Sequence, residues 1–273
     1  MRDVTNQRME ITMTTLDERY QKGIETRTKF GGGTLTAGST PLAWPMAPDL
    51  NQIAGQFLFG SIWHRPALKD TQREMITLTC LTVLKRDNQT RRHLGNALNL
   101  GLTPIQIIEV LMHSMFYSGV PATLDALAIA KEVFEERGID YTPQEVFDSS
   151  ETPDDLYNRG VARRVEYMGP PSGDAPGPVT QAEREFGRLT AEYYWGSIWT
   201  RPGLTLPERS ICTMAALTAL GRESQLASHI RGGLNVGLSQ EEIVEVFIHA
   251  TFYCGLPFVR SAIDLANEIF RAG

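Results

Sequence analysis

The chain has 273 residues, 42% of them apolar, which is enough to bury a core in one large or two small domains. Its net charge of −6 argues against nucleic acid or an anionic membrane surface as the main partner. It has no membrane-length apolar run, no secretory signal and no CxxC pair among its three cysteines, so we expect a cytoplasmic protein.

The patterns along the chain are helical, and the alternation typical of strands is absent. A short amphipathic helix near the start is stopped by three glycines at 31–33. Two segments rich in Gly, Pro, Ser and Thr, 31–48 and 168–180, are predicted to be arms or loops. A capping box at Thr103 opens a later helix, which ends near Tyr117 at a Gly-x-Pro break. The predicted helices of the first half are 17–31, 71–85, 88–100, 103–117 and 122–137.

The second half of the chain repeats the first. Residues 60–137 align without a gap on 196–273, at an offset of 136, and about 30 of the 78 positions are identical, well beyond chance. The leading helix has an echo as well, since Gly23 and Arg27 correspond to Gly160 and Arg164. The prediction is an all-α protein of two helical modules, spanning 16–148 and 154–273.

The third helix of each copy carries a polar row at positions i, i+4 and i+8, which share one helix face. Apolar residues on the other faces predict a largely buried helix, whose polar groups must then be hydrogen-bonded. They form either an internal network that fixes helix packing or part of a substrate site. The rows are Glu109, His113 and Tyr117, and Glu245, His249 and Tyr253.

A second histidine position is also kept in both copies. His93 follows Gln89 by four residues, and His229 follows Gln225 in the same way. A helical histidine is more often structural than catalytic, but its titration range suits proton transfer. We predict that His93 and His229 belong to a site.

Arginines are the candidates for a ligand anchor, because a guanidinium pairs bidentately with carboxylate and stays charged when partly buried. In a chain of net negative charge, arginines kept through duplication favour a small anionic substrate. The alternative is that they brace acidic groups such as Glu109. Arg86 and its partner are the weakest candidates, since they also suit a helix C-terminus. The stronger candidates are Arg65, Arg73, Arg201 and Arg209.

Several motifs of the second copy occur together. They are Trp-Thr-Arg-Pro-Gly-Leu at 199–204, Arg209-Ser210, His229-x-Arg231, Asn235-x-Gly237, Glu245, and Phe-Tyr-Cys-Gly-Leu-Pro at 252–257. Jointly these motifs resemble the γ-carboxymuconolactone decarboxylase family of the alkylhydroperoxidase-like superfamily, and the first copy resembles a more diverged member. The similarity covers nearly the whole chain as a tandem.

The resemblance implies two all-α modules that form a pseudo-dimer, a cofactor-free decarboxylase or related lyase or isomerase of aromatic catabolism, and assembly into rings. Three chains would supply six modules, so we expect a homotrimer with pseudo-sixfold symmetry. A carboxylated lactone such as 4-carboxymuconolactone loses CO₂ into its own conjugated system. The protein then needs an arginine anchor and a histidine that donates a proton. Two sites per chain are expected.

The chain departs from the patterns of its relatives in two ways, and it matches one of them at Glu74. Gln89 and Gln225 stand where the decarboxylases usually carry an acidic residue, and glutamine cannot exchange a proton. The CxxC of the peroxidase branch is absent, which argues against thiol peroxidase chemistry. Glu74 occupies the place of that branch's relay carboxylate, but its partner is Ser210, so only the first site could use it.

Two other function classes stay open at this point. One is a metal site, because His93, His113 and Glu109 are ligand types. The other is a non-catalytic oligomeric binding or accessory protein, in which the repeats are kept for assembly. If the doubled polar residues have scattered partners within the bundle, a structural role is favoured, whereas a shared pocket favours an enzyme.

Overall fold

The computed structural model describes residues 15–33, 46–170 and 177–272, and over these ranges it is helical with no strand. Each module has a leading helix, a short helix that continues into a π-helical turn, and a bundle of longer helices. The first module contains α1 (Leu16–Phe30), α2 (Pro48–Ile53), α3 (Asp70–Val83), α4 (Asp87–Asn99) and α5 (Pro104–Glu136). The second contains α6 (Pro153–Met168), α7 (Gln181–Leu189), α8 (Leu206–Ala219), α9 (Glu223–Asn235), α10 (Gln240–Cys254) and α11 (Leu256–Ala272).

In each module the short helix, α2 or α7, continues into a π-helical turn that the sequence did not predict. The turns span Ala54–Phe59 and Thr190–Ile198. Each turn packs on the leading helix through backbone contact. A Cβ placed on Gly23 would lie 2.2 Å from the carbonyl oxygen of Gly55, and one on Gly160 would lie 1.8 Å from that of Ala191. Only glycine permits this approach, which explains why both glycines recur. Most of the predicted arm at 31–48 lies outside the described residues.

The Gly-x-Pro break after the third helix is confirmed as a change of backbone direction. Gly119 has φ 83° and Gly255 has φ 96°, a region that favours glycine. In the first copy the helical hydrogen bonds resume so soon that α5 runs through the kink, whereas α10 and α11 are separate helices.

The two modules share one interior, because α3 packs against α8 at the centre of the molecule. Ile76, Cys80 and Val83 of α3 lie in the apolar cluster built mainly by the second module. Cys212 of α8 lies in the cluster built mainly by the first. The cores interlock, so the pair behaves as a pseudo-dimer inside one chain. None of the described helices has the length and hydropathy needed to cross a membrane.

Candidate active site

The carboxylate of Glu109, on α5, reaches across to two arginines of the second module. Arg209 Nη2 donates to Glu109 Oε2 at 2.9 Å, and Arg201 Nε donates to Oε1 at 2.8 Å. The same Arg209 Nη2 also donates to the carbonyl oxygen of Arg201 at 2.7 Å. Glu109 and Arg209 are almost completely buried, so their charges compensate each other away from water.

The reciprocal contact repeats this arrangement with the copies exchanged. Arg73 Nη2 donates to Glu245 Oε2 at 2.9 Å and to the carbonyl oxygen of Arg65 at 2.6 Å, while Arg65 Nε donates to Glu245 Oε1. Arg73 and Glu245 are both fully buried. The modules are therefore held together by two equivalent buried Arg–Glu clusters.

His113 on α5 and His249 on α10 belong to the same interface. His113 Nε2 lies 2.8 Å from Thr213 Oγ1, and His249 Nε2 lies 3.0 Å from Thr77 Oγ1. Both imidazoles are fully buried, and burial holds the pKa of each well below its usual value, with a neighbouring arginine acting in the same direction. Tyr117 completes the row by bonding to Thr213 Oγ1 at 2.6 Å.

These contacts assign a structural role to most of the polar residues that duplication preserved. Arg73, Arg209, His113 and His249 have no exposed surface for a ligand, and their partners lie inside the bundle. Arg65 and Arg201 are more exposed but also bind the interface glutamates. The geometry favours the bracing alternative over substrate binding, because a guanidinium already paired with a buried carboxylate is not available as an anchor.

A cavity of about 760 Å³ opens at His93 instead. The first module supplies α4 and the end of α1, and the π-helical turn supplies Leu58 and Phe59. The second module supplies Phe252 and Tyr253 from the end of α10. Tyr253 stands edge-on to the imidazole of His93, with ring centroids 5.9 Å apart. Of the rows predicted to bind substrate, Tyr253 alone lines this cavity.

The imidazole of His93 is held by a buried carboxylate. His93 Nδ1 lies 2.7 Å from Glu74 Oε1, and Glu74 is fully buried on α3. Because a carboxylate accepts, Nδ1 carries the proton, which leaves Nε2 as the nitrogen that can exchange one. Asn96 Nδ2 lies 3.4 Å from the same Nδ1. Gln89 lines the cavity one turn before His93.

The wall of the cavity is strongly cationic. Arg91 is paired with Glu132, at 2.6 Å, and with Glu136. Arg137 Nη1 donates to Asn99 Oδ1 at 2.9 Å. Five arginines line the cavity: Arg27, Arg86, Arg91, Arg92 and Arg137. In the described part of the chain, Arg86, Arg92 and Arg137 form no ion pair with a carboxylate. Sequence reasoning named Arg86 only as the weakest anchor candidate, and it missed Arg91, Arg92 and Arg137 because these are not repeated in the second copy.

The surroundings of His229 differ from those of His93. The hydroxyl of Tyr167 lies 3.3 Å from His229 Nδ1 and 2.8 Å from Ser210 Oγ, and it donates to the carbonyl oxygen of His229 at 3.1 Å. Trp195 lies parallel to the imidazole, with ring centroids 6.4 Å apart. Burial lowers the pKa of His229 to about 3. This imidazole is neutral at physiological pH and poorly suited to donate a proton.

The predicted metal ligands do not converge. Glu109 binds arginines, His113 binds Thr213, and His93 binds Glu74. Among the residues that the structure describes, no three His, Cys, Asp or Glu side chains are grouped as a metal ion would require. Gln225, which precedes His229 by four residues, is exposed on α9.

Comparison with known proteins decides the family. The profile described as the carboxymuconolactone decarboxylase family matches twice, over residues 48–132 and 184–268. The chain belongs to this family. The carboxymuconolactone decarboxylase fold is thus present in tandem. One matched range includes His93 and the first third-helix row, and the other includes His229 and the second row.

Two curated relatives are about the size of one module. The 4-carboxymuconolactone decarboxylase of Acinetobacter baylyi is 34% identical over 116 residues, which cover 42% of this chain and 87% of the relative. The nitrosuccinic acid decarboxylase of Metarhizium robertsii is 33% identical over 114 residues, covering 41% of this chain and 80% of the relative. Both relatives of this tandem carboxymuconolactone decarboxylase family member are decarboxylases by name.

Proposed function

We propose that this protein is a cofactor-free decarboxylase that acts on a small anionic carboxylic acid in the cavity at His93, with a carboxylated lactone such as 4-carboxymuconolactone as the leading substrate class. One observation carries the proposal. An imidazole fixed by a buried carboxylate faces a cavity whose wall carries arginines without carboxylate partners in the described chain. That combination provides both an anchor for an anion and a group that can transfer a proton.

The reaction needs little from the protein because the substrate supplies the electron sink. The bond between the carboxylate carbon and the adjacent carbon breaks, CO₂ leaves, and the electron pair moves into the conjugated lactone as a dienolate. Protonated His93 then donates its Nε2 proton to the carbanionic carbon. A proton from water restores the imidazolium, so the atoms and charges balance over the cycle.

The residues divide this work. Glu74 accepts from Nδ1, fixes the ring so that Nε2 can meet the substrate, and stabilises the imidazolium by its charge. Arg86, Arg92 and Arg137 attract and orient the carboxylate groups, and their charges stabilise the dienolate as it forms. Tyr253 closes the wall from the second module. Burial raises the pKa of Tyr253, with the charge of Glu74 adding to the effect, so its hydroxyl stays protonated.

The names of the relatives support this class of reaction. Nitrosuccinic acid and 4-carboxymuconolactone are both carboxylic acids in which a neighbouring electron-withdrawing group can accept the electron pair left by CO₂. A site that supplies cations and one proton donor suits either compound. Their shared chemistry, rather than one substrate, is what we transfer to this chain.

The direct experiment is an assay of CO₂ release from 4-carboxymuconolactone, nitrosuccinic acid and a simple β-keto acid. We expect turnover of at least one, and a loss of about 100-fold or more in kcat for His93→Gln, the usual contribution of a general acid. Full activity in His93→Gln would contradict the assignment. If an acid binds in calorimetry but none of the three releases CO₂, the non-catalytic binding alternative is favoured.

A homotrimer with a ring of six modules is part of the proposal. The same three positions on the short helix and π-helical turn of both modules expose apolar side chains, so every module presents a similar surface, as a ring of repeated contacts requires. Sedimentation should give three chains per particle, and Phe57→Asp with Tyr193→Asp should dissociate it. The exposed residues are Leu50, Ile53 and Phe57, and Phe186, Leu189 and Tyr193.

A further inference from the structure

Tyr117 and Tyr253 hold matching positions in the rows of the third helices, but their hydroxyl groups differ in hydrogen bonding. The hydroxyl of Tyr117 lies 2.7 Å from that of Tyr194 and 2.6 Å from Thr213 Oγ1. The hydroxyl of Tyr253 is buried and has no hydrogen-bond partner among the described residues. A buried hydroxyl without a partner destabilises a fold, so its presence beside a cavity points to a partner that arrives with a ligand.

One difference between the copies explains why Tyr253 lacks a partner. The position that Tyr194 holds in the second π-helical turn is held by Leu58 in the first. Leucine has no hydroxyl, so Tyr253 loses the contact that Tyr194 makes with Tyr117. Leu58 is also shorter than a tyrosine, and it lines the cavity at His93. The same difference therefore unpairs the hydroxyl of Tyr253 and shortens a side chain at the cavity wall.

The polar groups near this hydroxyl do not satisfy it. Thr77 Oγ1 donates to a backbone carbonyl of its own helix at 3.1 Å and lies 3.0 Å from His249 Nε2. Burial raises the pKa of Tyr253 and the charge of Glu74 adds to this rise, so the hydroxyl keeps its proton. Thr77 and Trp63 lie close enough to oppose the rise, but neither forms a hydrogen bond with the hydroxyl. A protonated phenol without a partner can donate one hydrogen bond.

Tyr253 stands at the cavity, beside the proposed proton donor. With Phe252 it lines the wall that the second module supplies, and its ring is edge-on to the imidazole of His93, with centroids 5.9 Å apart. The hydroxyl oxygen has almost no surface open to water. In such a place a hydrogen bond to a developing negative charge is stronger than in water. Hydrogen bonds that serve catalysis often form fully only when the substrate is bound.

Resting on the proposed function, we infer that the hydroxyl of Tyr253 donates a hydrogen bond to an acceptor oxygen of the substrate bound at His93, which in a carboxylated lactone is the carbonyl oxygen. This bond stabilises the negative charge that gathers on the oxygen as CO₂ leaves. The phenol transfers no proton, since His93 protonates the carbon. A residue of the second module then completes the site of the first, which gives the pseudo-dimer a role in catalysis.

The first test needs no substrate and compares Tyr253→Phe with Tyr117→Phe in urea unfolding. Removing a hydroxyl that has no partner should leave the unfolding midpoint unchanged or raise it. Tyr117→Phe should lower the midpoint, because Tyr194 and Thr213 lose a hydrogen bond in the interior. If Tyr253→Phe lowers the midpoint as much as Tyr117→Phe does, its hydroxyl is already paired inside the protein, and the inference is overturned.

The second test measures turnover of the acid that the wild type decarboxylates. Tyr253→Phe should lower kcat by about 100-fold, the usual effect of removing one donor to a developing oxyanion, and should raise KM only a few-fold. Tyr117→Phe is the matched control and should keep kcat within about two-fold of the wild type. A kcat of Tyr253→Phe that equals the wild-type value, or equal losses in the two variants, would overturn the inference.

A binding measurement separates this inference from the proposed function. In calorimetry with 4-carboxymuconolactone and with nitrosuccinic acid, Tyr253→Phe should raise the Kd by about 5-fold, the usual effect of losing one hydrogen bond between neutral groups. If the wild type releases CO₂ from no tested acid but its binding depends on Tyr253 in this way, the proposed function fails and the inference stands. Equal Kd values in the wild type and the variant, or no binding of either acid, would overturn it.

Discussion

At the interface between the modules, the Arg–Glu and His–Thr contacts are the same in both copies, whereas the surroundings of His93 and His229 differ. Glu109 with Arg209 and Glu245 with Arg73 match in partner, atom and distance, at 2.9 Å each. His93 has a carboxylate beside it, while the counterpart of that carboxylate is Ser210. Duplicated residues have thus had different fates: those of the interface are matched in both copies, whereas those around His93 and His229 have diverged.

The interface also explains why polar residues that are kept in both copies do not by themselves indicate a catalytic site. A pseudo-twofold contact uses the same surface on both modules, so each buried charge must find its partner twice. Losing one partner leaves the other charge buried and uncompensated. Selection for assembly alone is sufficient to keep such residues, whether or not the module is an enzyme.

The largest expected effect tests the symmetry of the interface. Arg209→Met and Arg73→Met should each lower the free energy of unfolding by about 3–5 kcal/mol, because a glutamate is left in the interior without its main partner. Chemical denaturation of the two variants should give similar losses. The double variant Arg209→Met with Glu109→Leu is the matched control and should recover much of the loss. A large effect in one copy and none in the other would break the symmetry.

The next prediction concerns pH. Burial lowers the pKa of His113, His249 and His229 below the usual value of 6.5, the last to about 3. Below pH 6.5 these histidines bind protons in the unfolded chain but stay neutral in the folded one. The free energy of unfolding is therefore at its full value above pH 6.5 and falls as the pH drops below it. Each histidine contributes a slope of up to about 1.4 kcal/mol per pH unit. Unfolding measured from pH 7.5 to 4.5 should show this loss, reduced in His113→Gln. A flat profile would contradict it.

A smaller effect, on kcat, distinguishes the surroundings of His93 from those of His229. Glu74→Gln should lower kcat by at least about 10-fold with little change in KM, because it removes the charge that stabilises the imidazolium but leaves the cavity wall intact. Ser210→Ala, at the matching position, should leave kcat unchanged. The pH profile of kcat should shift in Glu74→Gln, which a purely structural role would not produce. Equal effects of the two variants would remove the distinction between the copies.

The smallest effect concerns the cationic wall. The guanidinium of Arg137 lies over Gly95, where a Cβ would come within 2.7 Å of Nη2. Gly95→Ala should displace this flexible group and raise KM by a few-fold with kcat little changed, about 1 kcal/mol of binding for one charged contact. Arg231→Ala, at the matching position of the second copy, should leave both constants unaltered. Steady-state kinetics on the two variants provides the measurement.

Much of the fold could be predicted from the chain, but the location of the cavity could not. Helical periodicity, the capping box at Thr103 and the Gly119 break each act within a few residues, and the structure contains them where they were predicted. The π-helical turns were missed, because their hydrogen bonding depends on the leading helix packing against them. The contribution of Tyr253 to the wall around His93 depends on a contact between residues 160 positions apart.

By itself, the sequence determined that the protein is a tandem of two helical modules, because an internal repeat and helical periodicity can be read from the order of residues along the chain. A family resemblance also named Glu74 as the counterpart of a relay carboxylate, and the structure places it beside His93. Only the tertiary structure decided which charged side chains pair with each other and which face a cavity. Arg73 and Arg86 are both repeated arginines, yet one is buried against Glu245 and the other lines the wall at His93. The physical reason is that a charge's role depends on its nearest partner and its exposure to water, and neither is fixed until the modules pack together.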